Sequence, residues 1–226
     1  MTPSPQPQPQ QGQSLNVIAL ISGGKDSLYS LLHCIRNGHK VIALANLHPP
    51  VQDAQEDIDS FMYQTIGHAV IPLYEQALDI PLYRAPISGG AVDTARIYRN
   101  DATEESAPED ETESLVPLLK RVMQCHPEAN AVCAGAILST YQRTRIENVA
   151  CRLGLTPLAW LWNYPVLPAP VERAGVATQA GLLEDMAGVG CEARIIKVAS
   201  GGLDEGFLWG DVSSRDGLVR RKIERA

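Results

Sequence analysis

The feature that most constrains this chain is a short glycine-containing segment, Ser22-Gly23-Gly24-Lys25-Asp26-Ser27. It follows an apolar run, Leu15 to Ile21, and precedes apolar residues at helical spacing (Leu28, Leu31, Leu32 and Ile35). The pattern predicts a tight turn between a buried strand and the start of a helix. At such a turn the free N–H groups and the helix dipole favour an anion. We interpret the segment as a phosphate cradle, in which glycines admit the ligand and Lys25 adds positive charge.

The segment does not match the other common phosphate-binding motifs. A Walker A loop needs G-x-x-x-x-G-K-[ST], and G-x-G-x-x-G is also absent. The segment instead resembles the PP-loop of the N-type ATP pyrophosphatases, which include GMP synthetase, asparagine synthetase and the tRNA-thiolating enzymes. These enzymes cut ATP between the α and β phosphates and adenylate an oxygen of the substrate. A second Ser-Gly-Gly, at residues 88–90, lacks the Lys-Asp-Ser and is interpreted as a surface turn.

Composition describes an ordinary globular chain. The 226 residues suffice for one core, or for a core with a small second lobe, and no apolar run reaches the length of a membrane span. Residues 1–14 are rich in Pro and Gln and lack the layout of a signal peptide, so they predict a disordered tail and a cytoplasmic location. The five cysteines include no C-x-x-C pair, which favours reduced thiols and no zinc site.

The net charge of −7 arises from one stretch, residues 101–113, which holds seven acids and no Lys or Arg. Without these seven, 19 acids face 19 bases, so we expect an acidic loop on a nearly neutral fold. No Lys/Arg run is interleaved with aromatic residues, and we therefore expect no membrane partner and no stable nucleic-acid partner.

Continuous apolar strands alternate with amphipathic helices, which predicts an α/β fold: a parallel, twisted, Rossmann-like sheet with helices on both faces. The strands are predicted at residues 15–21, 41–47, 82–87, 131–137 and 158–161. Helices are expected after the first turn, across 57–78, around 115–122, and around 146–153. Ser139 to Gln142 is interpreted as the capping box at the start of the last of these helices.

Past Trp162 the pattern changes. Pro165, Pro168 and Pro170 mark a loop, a short helix is expected around residues 182–186, and a strand around 192–199. We therefore divide the chain into the tail at 1–14, a PP-loop ATP-binding domain at 15–163, and a linker with part of a smaller C-terminal lobe at 164–226.

Several long stretches together resemble one family, the diphthine–ammonia ligases. They lie at residues 19–47 (ALISGGKDSLYSLLHCIRNGHKVIALANL), 59–84 (DSFMYQTIGHAVIPLYEQALDIPLYR), 135–162 (GAILSTYQRTRIENVACRLGLTPLAWLW), 193–204 (ARIIKVASGGLD) and 206–209 (GFLW). The resemblance implies an AMP-forming ligase of diphthamide biosynthesis. ATP would adenylate the carboxylate of diphthine, a modified histidine on translation elongation factor 2, and ammonia would then replace AMP.

The resemblance and the expected strand order 3-2-1-4 together assign the nucleotide site. The turn from Ser22 to Ser27 would hold the β and γ phosphates, with Asp26 as a Mg²⁺ ligand through Mg-ATP. Gly135 and Ala136 would admit adenosine opposite the turn, at the switch point of the sheet, and Leu20 and Leu47 would line the base.

The resemblance also suggests catalytic roles for Lys25, Asp26, Tyr141, Gln142 and Arg145. It suggests substrate contacts for six further residues: Tyr63, Gln64, His68, Ser139, Arg143 and Glu147. Taken from spacing alone, each has a plainer interpretation. Gln142 would complete the capping box, Arg143 and Glu147 would form a surface pair, and His68 would be an ordinary capping or core residue.

The family usually carries an EGGEYET-type motif in its second lobe, and this sequence reaches Ala226 without one. We therefore expect a chain truncated before that motif, with part of the diphthine site missing. Two other functions stay open: a tRNA-modifying PP-loop enzyme, for which no suitable cysteine pair is visible, and a protein that binds ATP or AMP without turnover.

Overall fold

The computed structural model describes residues 13–50, 60, 62–98, 109–162, 181–188, 190–198, 203–214 and 217–223. Its strands are β1 (Asn16–Leu20), β2 (Lys40–His48), β3 (Leu82–Pro86), β4 (Ala131–Cys133) and β5 (Thr156–Leu158). Its helices are α1 (Lys25–Arg36), α2 (Pro72–Leu78), α3 (Leu115–Cys125), α4 (Thr140–Arg152), α5 (Gly181–Gly188) and α6 (Leu218–Ile223). One-turn 3-10 helices lie at His68–Val70, Glu111–Ser114 and Glu205–Phe207.

The strands form one sheet in the order β3-β2-β1-β4-β5, and every pair is parallel. Parallel neighbours require crossover connections, which α1, α2, α3 and α4 supply. From β1 the chain places β2 and β3 on one side and β4 and β5 on the other. The switch point of the sheet therefore lies between β1 and β4. Both the α/β class and the order 3-2-1-4 are therefore confirmed.

The two faces of the sheet are covered by different helices. Ile18 and Val132 point into a core shared with α3 and α4, while Val17, Ala131 and Cys133 point into a core shared with α1 and α2. Seven consecutive residues of β2, from 41 to 47, are buried. Burial on both faces explains why these strands are apolar without alternation.

Helix α1 buries a different face from the one its leucines suggest. Leu31 is fully buried, but Leu32 is 37% and Ile35 is 48% exposed. The buried face also carries Ser27 and Ser30, and Ser30 Oγ donates a hydrogen bond of 2.9 Å to the carbonyl oxygen of Ala134. Small polar residues let α1 approach the end of β4, and this approach positions the turn before α1.

The expected helix at residues 57–78 is wrong for most of its described length. Only Pro72–Leu78 is α-helical, because Pro72 occupies the first turn and Gly67 has a φ of +76°. Residues 62–67 contain no helix, and residues 51–59 and 61 lie outside the described part.

Three strand predictions also need correction. Strand β4 ends at Cys133 instead of residue 137, because the chain turns at Gly135 toward α1. Strand β5 comes earlier than expected, at Thr156–Leu158. In place of the strand at 192–199, the described residues form one antiparallel bridge, between Arg194 and Asp211.

The acidic stretch is not simply a solvated loop where the structure describes it. Asp110 is 8% and Glu111 is 2% exposed, and the 3-10 turn that follows leads directly into α3. Residues 101–108 lie outside the described part, so the remainder of the loop prediction is untested there.

The C-terminal segment packs against the first domain. Leu182 and Met186 of α5 contact Tyr29 of α1 and Leu161. Residues 163–180, which hold the predicted boundary and prolines, lie outside the described part, as do residues 1–12 of the predicted tail; the domain division stays a prediction. In the described ranges, no helix has the length and apolar character needed to cross a membrane.

Glu113 should make stability depend on pH. Its carboxylate accepts two bonds from Arg152, of 2.8 and 2.7 Å, and one of 2.8 Å from Tyr98. The bond from Arg152 is the main reason that the pKa of Glu113 lies below its ordinary value of 4.5. The stabilisation is therefore present above pH 4.5 and is lost as the pH falls through the lower folded-state pKa.

We expect Glu113→Gln to lower the free energy of unfolding by about 1 kcal/mol at neutral pH and by less at an acidic pH below 4.5, where the carboxylate becomes protonated. Urea unfolding of both proteins at the two pH values measures this difference. Glu147→Gln, which disrupts a simple i,i+4 pair on α4, is the matched control. An equal loss at both pH values would contradict the assignment.

Candidate active site

A cavity of roughly 300 Å³ opens at the carboxyl ends of β1, β2 and β4. Its wall includes nine residues named from the sequence: Leu20, Ser22, Gly24, Asp26, Ser27, Leu47, Tyr63, Gln64 and Gln142. Gly135 and Ala136 also line it, as expected for the switch point of the sheet. The strand order thus brings together residues from four distant parts of the chain.

The turn from Ser22 to Ser27 is held by its own hydroxyl groups. Ser27 Oγ donates 2.9 Å to the carbonyl oxygen of Gly24 and accepts 3.2 Å from the N–H of Ser22. The N–H groups of Lys25 and Asp26, at the start of α1, donate no hydrogen bond within the described part of the chain. They supply the donors that an anion at a helix N-terminus requires.

Lys25 and Asp26 form an ion pair with each other. Lys25 Nζ lies 2.7 Å from Asp26 Oδ1, and the two side chains are 33% and 26% exposed. Asp26 lines the cavity, whereas Lys25 and Gly23 do not. The ammonium group is therefore beside the turn but is engaged with the adjacent carboxylate.

The two glycines of the turn have different roles, and only Gly23 has a backbone conformation that favours glycine. Gly23 has a φ of +81°, and a Cβ there would lie 2.8 Å from Ile71 Cδ1. A Cβ on Gly24 would lie 3.1 Å from Gln64 Oε1, within the space beside the cavity. Gly23 thus permits the left-handed turn, and the absence of a side chain at Gly24 leaves space beside Gln64.

Gly135 has a structural role that the sequence did not reveal. A Cβ on this residue would lie 2.6 Å from the backbone nitrogen of Ser27 and 2.7 Å from the carbonyl carbon of Asp26. Its first task is thus to let the loop after β4 touch the start of α1. That contact closes one side of the cavity.

The rest of the wall is largely apolar. Leu20 and Leu47 lie there, and sequence reasoning missed eight further apolar members: Ile21, Ala45, Met62, Leu115, Leu118, Ala134, Ile137 and Ile146. The spacing of apolar residues predicts which faces of α3 and α4 are buried. Only the strand order shows that those faces reach the cavity. Flat apolar walls suit a nucleobase.

Gln142 is more than part of a helix cap. Ser139 Oγ accepts 3.2 Å from the N–H of Gln142, so the first half of the capping box is present. The side chain of Gln142 does not reach back; its Nε2 donates 3.1 Å to the carbonyl oxygen of Met62. It therefore joins α4 to the opposite wall.

Tyr141 and Arg145 hold a loop and lie outside the cavity wall. Arg145 is fully buried, its guanidinium lies 3.3 Å from the centroid of the Tyr141 ring, and it donates to the carbonyl oxygens of Asp93 and Ala95. Burial raises the pKa of the Tyr141 phenol, which remains protonated and donates to the carbonyl oxygen of Asp93. This geometry indicates positioning, and the catalytic assignment stays a prediction.

The remaining sequence candidates are away from the cavity wall. Arg143 and Glu147 form the i,i+4 pair at 3.3 Å, and Arg143 also lies over the ring of Trp162. The carbonyl oxygen of His68 accepts 3.2 Å from Arg84. Ser139 is the N-cap of α4. Their assignments as substrate contacts also stay predictions.

The residues present fit an adenine nucleotide, with glycines and free N–H groups at one end and an apolar wall at the other. The described ranges hold no group of three or more His, Cys, Asp or Glu side chains that could together bind a metal ion. Any divalent cation would therefore depend on phosphate oxygens, with Asp26 as the nearest carboxylate at the turn.

The parallel sheet and the glycine turn at its switch point define an α/β domain of the PP-loop type. Residues 15–100 match the family model described as the diphthamide synthase N-terminal domain. The sequence-based identification with the diphthine–ammonia ligase family is confirmed by this match and by the relatives of the chain.

Relatives of the chain carry the name diphthine–ammonia ligase. The Schizosaccharomyces pombe protein is 49% identical over 189 residues, which cover 84% of this chain and 28% of that protein. The Rattus norvegicus and Homo sapiens proteins are 46% and 44% identical over 191 residues, covering 84% of this chain and 64% of each relative. The chain therefore spans less than two thirds of the length of these relatives.

Replacing Gly135 should disturb the turn from a distance. We expect Gly135→Ala to lower the thermal midpoint by several degrees, since its Cβ would meet backbone that cannot give way. Nucleotide affinity should fall by about tenfold or more, because the start of α1 must shift. Differential scanning fluorimetry with and without AMP measures both effects.

Gly188→Ala is the matched control, because nothing lies within 4 Å of a Cβ there. Wild-type stability and affinity in the Gly135→Ala protein would show that this contact is not needed to hold the turn.

Proposed function

We propose that this chain carries the ATP-binding and adenylating part of a diphthine–ammonia ligase. Its reaction would be the amidation of the diphthine carboxylate on translation elongation factor 2, with ATP converted to AMP and pyrophosphate. The observation that carries the proposal is the cavity itself. It combines a glycine-hydroxyl turn at the start of α1 with an apolar wall at the switch point. A cytoplasmic location accompanies this proposal, since translation takes place there.

The chemistry explains why ATP is needed. A carboxylate is a poor electrophile, and conversion to an acyl adenylate supplies a good leaving group for attack by ammonia. Pyrophosphate leaves as the mixed anhydride forms, so negative charge must be stabilised at the β and γ phosphates. The N–H groups of Lys25 and Asp26 at the start of α1 would provide that stabilisation, and the ammonium of Lys25 would add to it by exchanging its partner Asp26 for phosphate.

Other residues would orient the reactants. Gln64 and Gln142 place amide groups at the cavity wall, where they offer neutral hydrogen bonds to ribose or acceptor oxygens. The apolar wall would exclude water from the base, and thereby limit hydrolysis of the activated acyl group. Mg²⁺, bound through the phosphates of ATP with help from Asp26, belongs to the same proposal.

The cysteines do not favour the sulfur-transferring alternative. Cys34 and Cys133 are buried in the core, and none of the five cysteines lines the cavity. Thiol chemistry on a tRNA would need an accessible thiolate beside the nucleotide. The remaining alternative, nucleotide binding without turnover, differs from the proposal in its products and is separated by the following experiment.

We expect AMP and pyrophosphate to be released from Mg-ATP and ammonium only when elongation factor 2 bearing diphthine is present. Lys25→Ala should lower kcat/KM by about a hundredfold or more, because a charge that acts on the leaving pyrophosphate is lost. Lys120→Ala, on the exposed face of α3, should leave the rate unchanged. Coupled pyrophosphate detection measures the rates.

Three results would speak against the proposal. Release that needs tRNA in place of the factor would favour the tRNA-modifying enzyme. ATP binding without any release would favour the non-catalytic protein, and equal rates for the Lys25→Ala and Lys120→Ala proteins would remove Lys25 from the reaction.

A further inference from the structure

One residue in the cavity wall, Met62, has both of its backbone polar groups hydrogen-bonded. Met62 is 6% exposed and lines the cavity. Its N–H donates to Ser60 Oγ at 3.1 Å and to Glu111 Oε1 at 3.2 Å, and its carbonyl oxygen accepts from Gln142 Nε2 at 3.1 Å. The wall segment is therefore fixed between the acidic turn before α3 and the first turn of α4.

The next residue is attached to the same turn. The N–H of Tyr63 donates 2.8 Å to Ser60 Oγ, and its phenol donates 3.3 Å to the carbonyl oxygen of Glu111. Burial, followed by the negative charge of Glu111, raises the pKa of Tyr63, so the phenol remains a donor at neutral pH. Tyr63 and Gln64 both line the cavity.

Glu111 is an unusual residue for this position. It is 2% exposed, and no Lys or Arg in the described ranges forms a salt bridge with it. Burial raises the pKa of its carboxyl group, while the hydrogen bonds from Ser60 and Met62 oppose that rise. Burying a carboxylate without an opposite charge is costly, so stability alone is a poor reason for an acid at this position.

We propose that Glu111 is a positioning residue for the nucleotide cavity, and that it fixes the wall segment from residue 62 to 64 against the ligand. It acts through the N–H of Met62 and through Ser60, and it does not itself line the cavity. The proposal rests on the proposed function in one respect, namely that the cavity binds an adenine nucleotide.

Its neighbour Asp110 provides a matched contrast. Asp110 is also buried, but its carboxylate accepts from Val92, Asp93 and Thr112, which belong to the loop after β3 and to its own turn. Neither Val92 nor Asp93 lines the cavity. Substitution of Asp110 should therefore disturb stability without the same effect on the wall segment.

The experiment compares Glu111→Leu, Glu111→Gln and Asp110→Asn for binding of AMP and of a non-hydrolysable ATP analogue by calorimetry. We expect Glu111→Leu to weaken both ligands about tenfold, and Glu111→Gln, whose amide oxygen can still accept from Met62, to remain within about threefold of wild type. Asp110→Asn should bind with an affinity near that of the wild type, whatever its thermal midpoint.

Amide hydrogen exchange supplies a readout that does not need nucleotide. In Glu111→Leu the amides of Met62 and Tyr63 should exchange about tenfold faster, while those of β1 stay protected. If Glu111→Leu does not fold, Ser60→Ala removes the contacts that run through Ser60 Oγ, and faster exchange is expected chiefly at the amide of Tyr63, since Met62 keeps its bond to Glu111.

Two failures are distinguishable. A wild-type protein that binds neither nucleotide would overturn the proposed function, and with it the ligand named here. A wild-type protein that binds, alongside a Glu111→Leu or Ser60→Ala protein with unchanged affinity and unchanged exchange, would overturn the positioning role alone.

Discussion

The contact between Gly135 and the backbone of Asp26 and Ser27 is the constraint on which the site depends. Two crossover connections leave the sheet in opposite directions at β1 and β4, and a cavity forms only where their first turns lie side by side. The absent Cβ of Gly135 permits that approach, and the hydrogen bond from Ser30 to Ala134 holds it. The turn that would bind phosphate is thus shaped partly by the strand opposite.

Behind the other side of the cavity lies a turn of acidic residues that are buried or partly buried. Asp110, Glu111 and Glu113 follow one another along the chain and fasten three different neighbours: the loop after β3, the wall segment at Met62, and α4 through Arg152. Buried carboxylates are costly without partners, so each is stable only when its neighbour is in place. The acidic turn therefore couples the positions of these three segments. Its hydrogen bonds fix their orientation more specifically than apolar packing would.

The sequence predicted those parts of the fold that local patterns determine. The apolar strands and the glycine turn predicted β1, β2 and the turn between β1 and α1, because their signals lie within a few adjacent residues. The helix expected at 57–78 failed since apolar residues there face the cavity and the sheet from an irregular chain, and Gly67 and Pro72 allow only one short helix. Met62 and Leu118 lie at the cavity because of the strand order, which cannot be inferred from any local sequence pattern. Glu111 was missed for a related reason: in a run of acids, composition favours a solvated loop, and only the fold shows which carboxylate is buried.

The ion pair of Lys25 with Asp26 gives the turn a particular electrostatic character. Both side chains are partly exposed, so the pair contributes at most about 1 kcal/mol and is easily exchanged for another partner. On the proposed function, a triphosphate would compete for the Lys25 ammonium, and Asp26 would then face the phosphates without its cation. Since like charges repel, Asp26 would become a favourable neighbour for a divalent cation carried by the nucleotide. One pair of adjacent residues would thereby link phosphate binding to cation binding, which explains how a turn with so few charged groups can serve a strongly charged ligand.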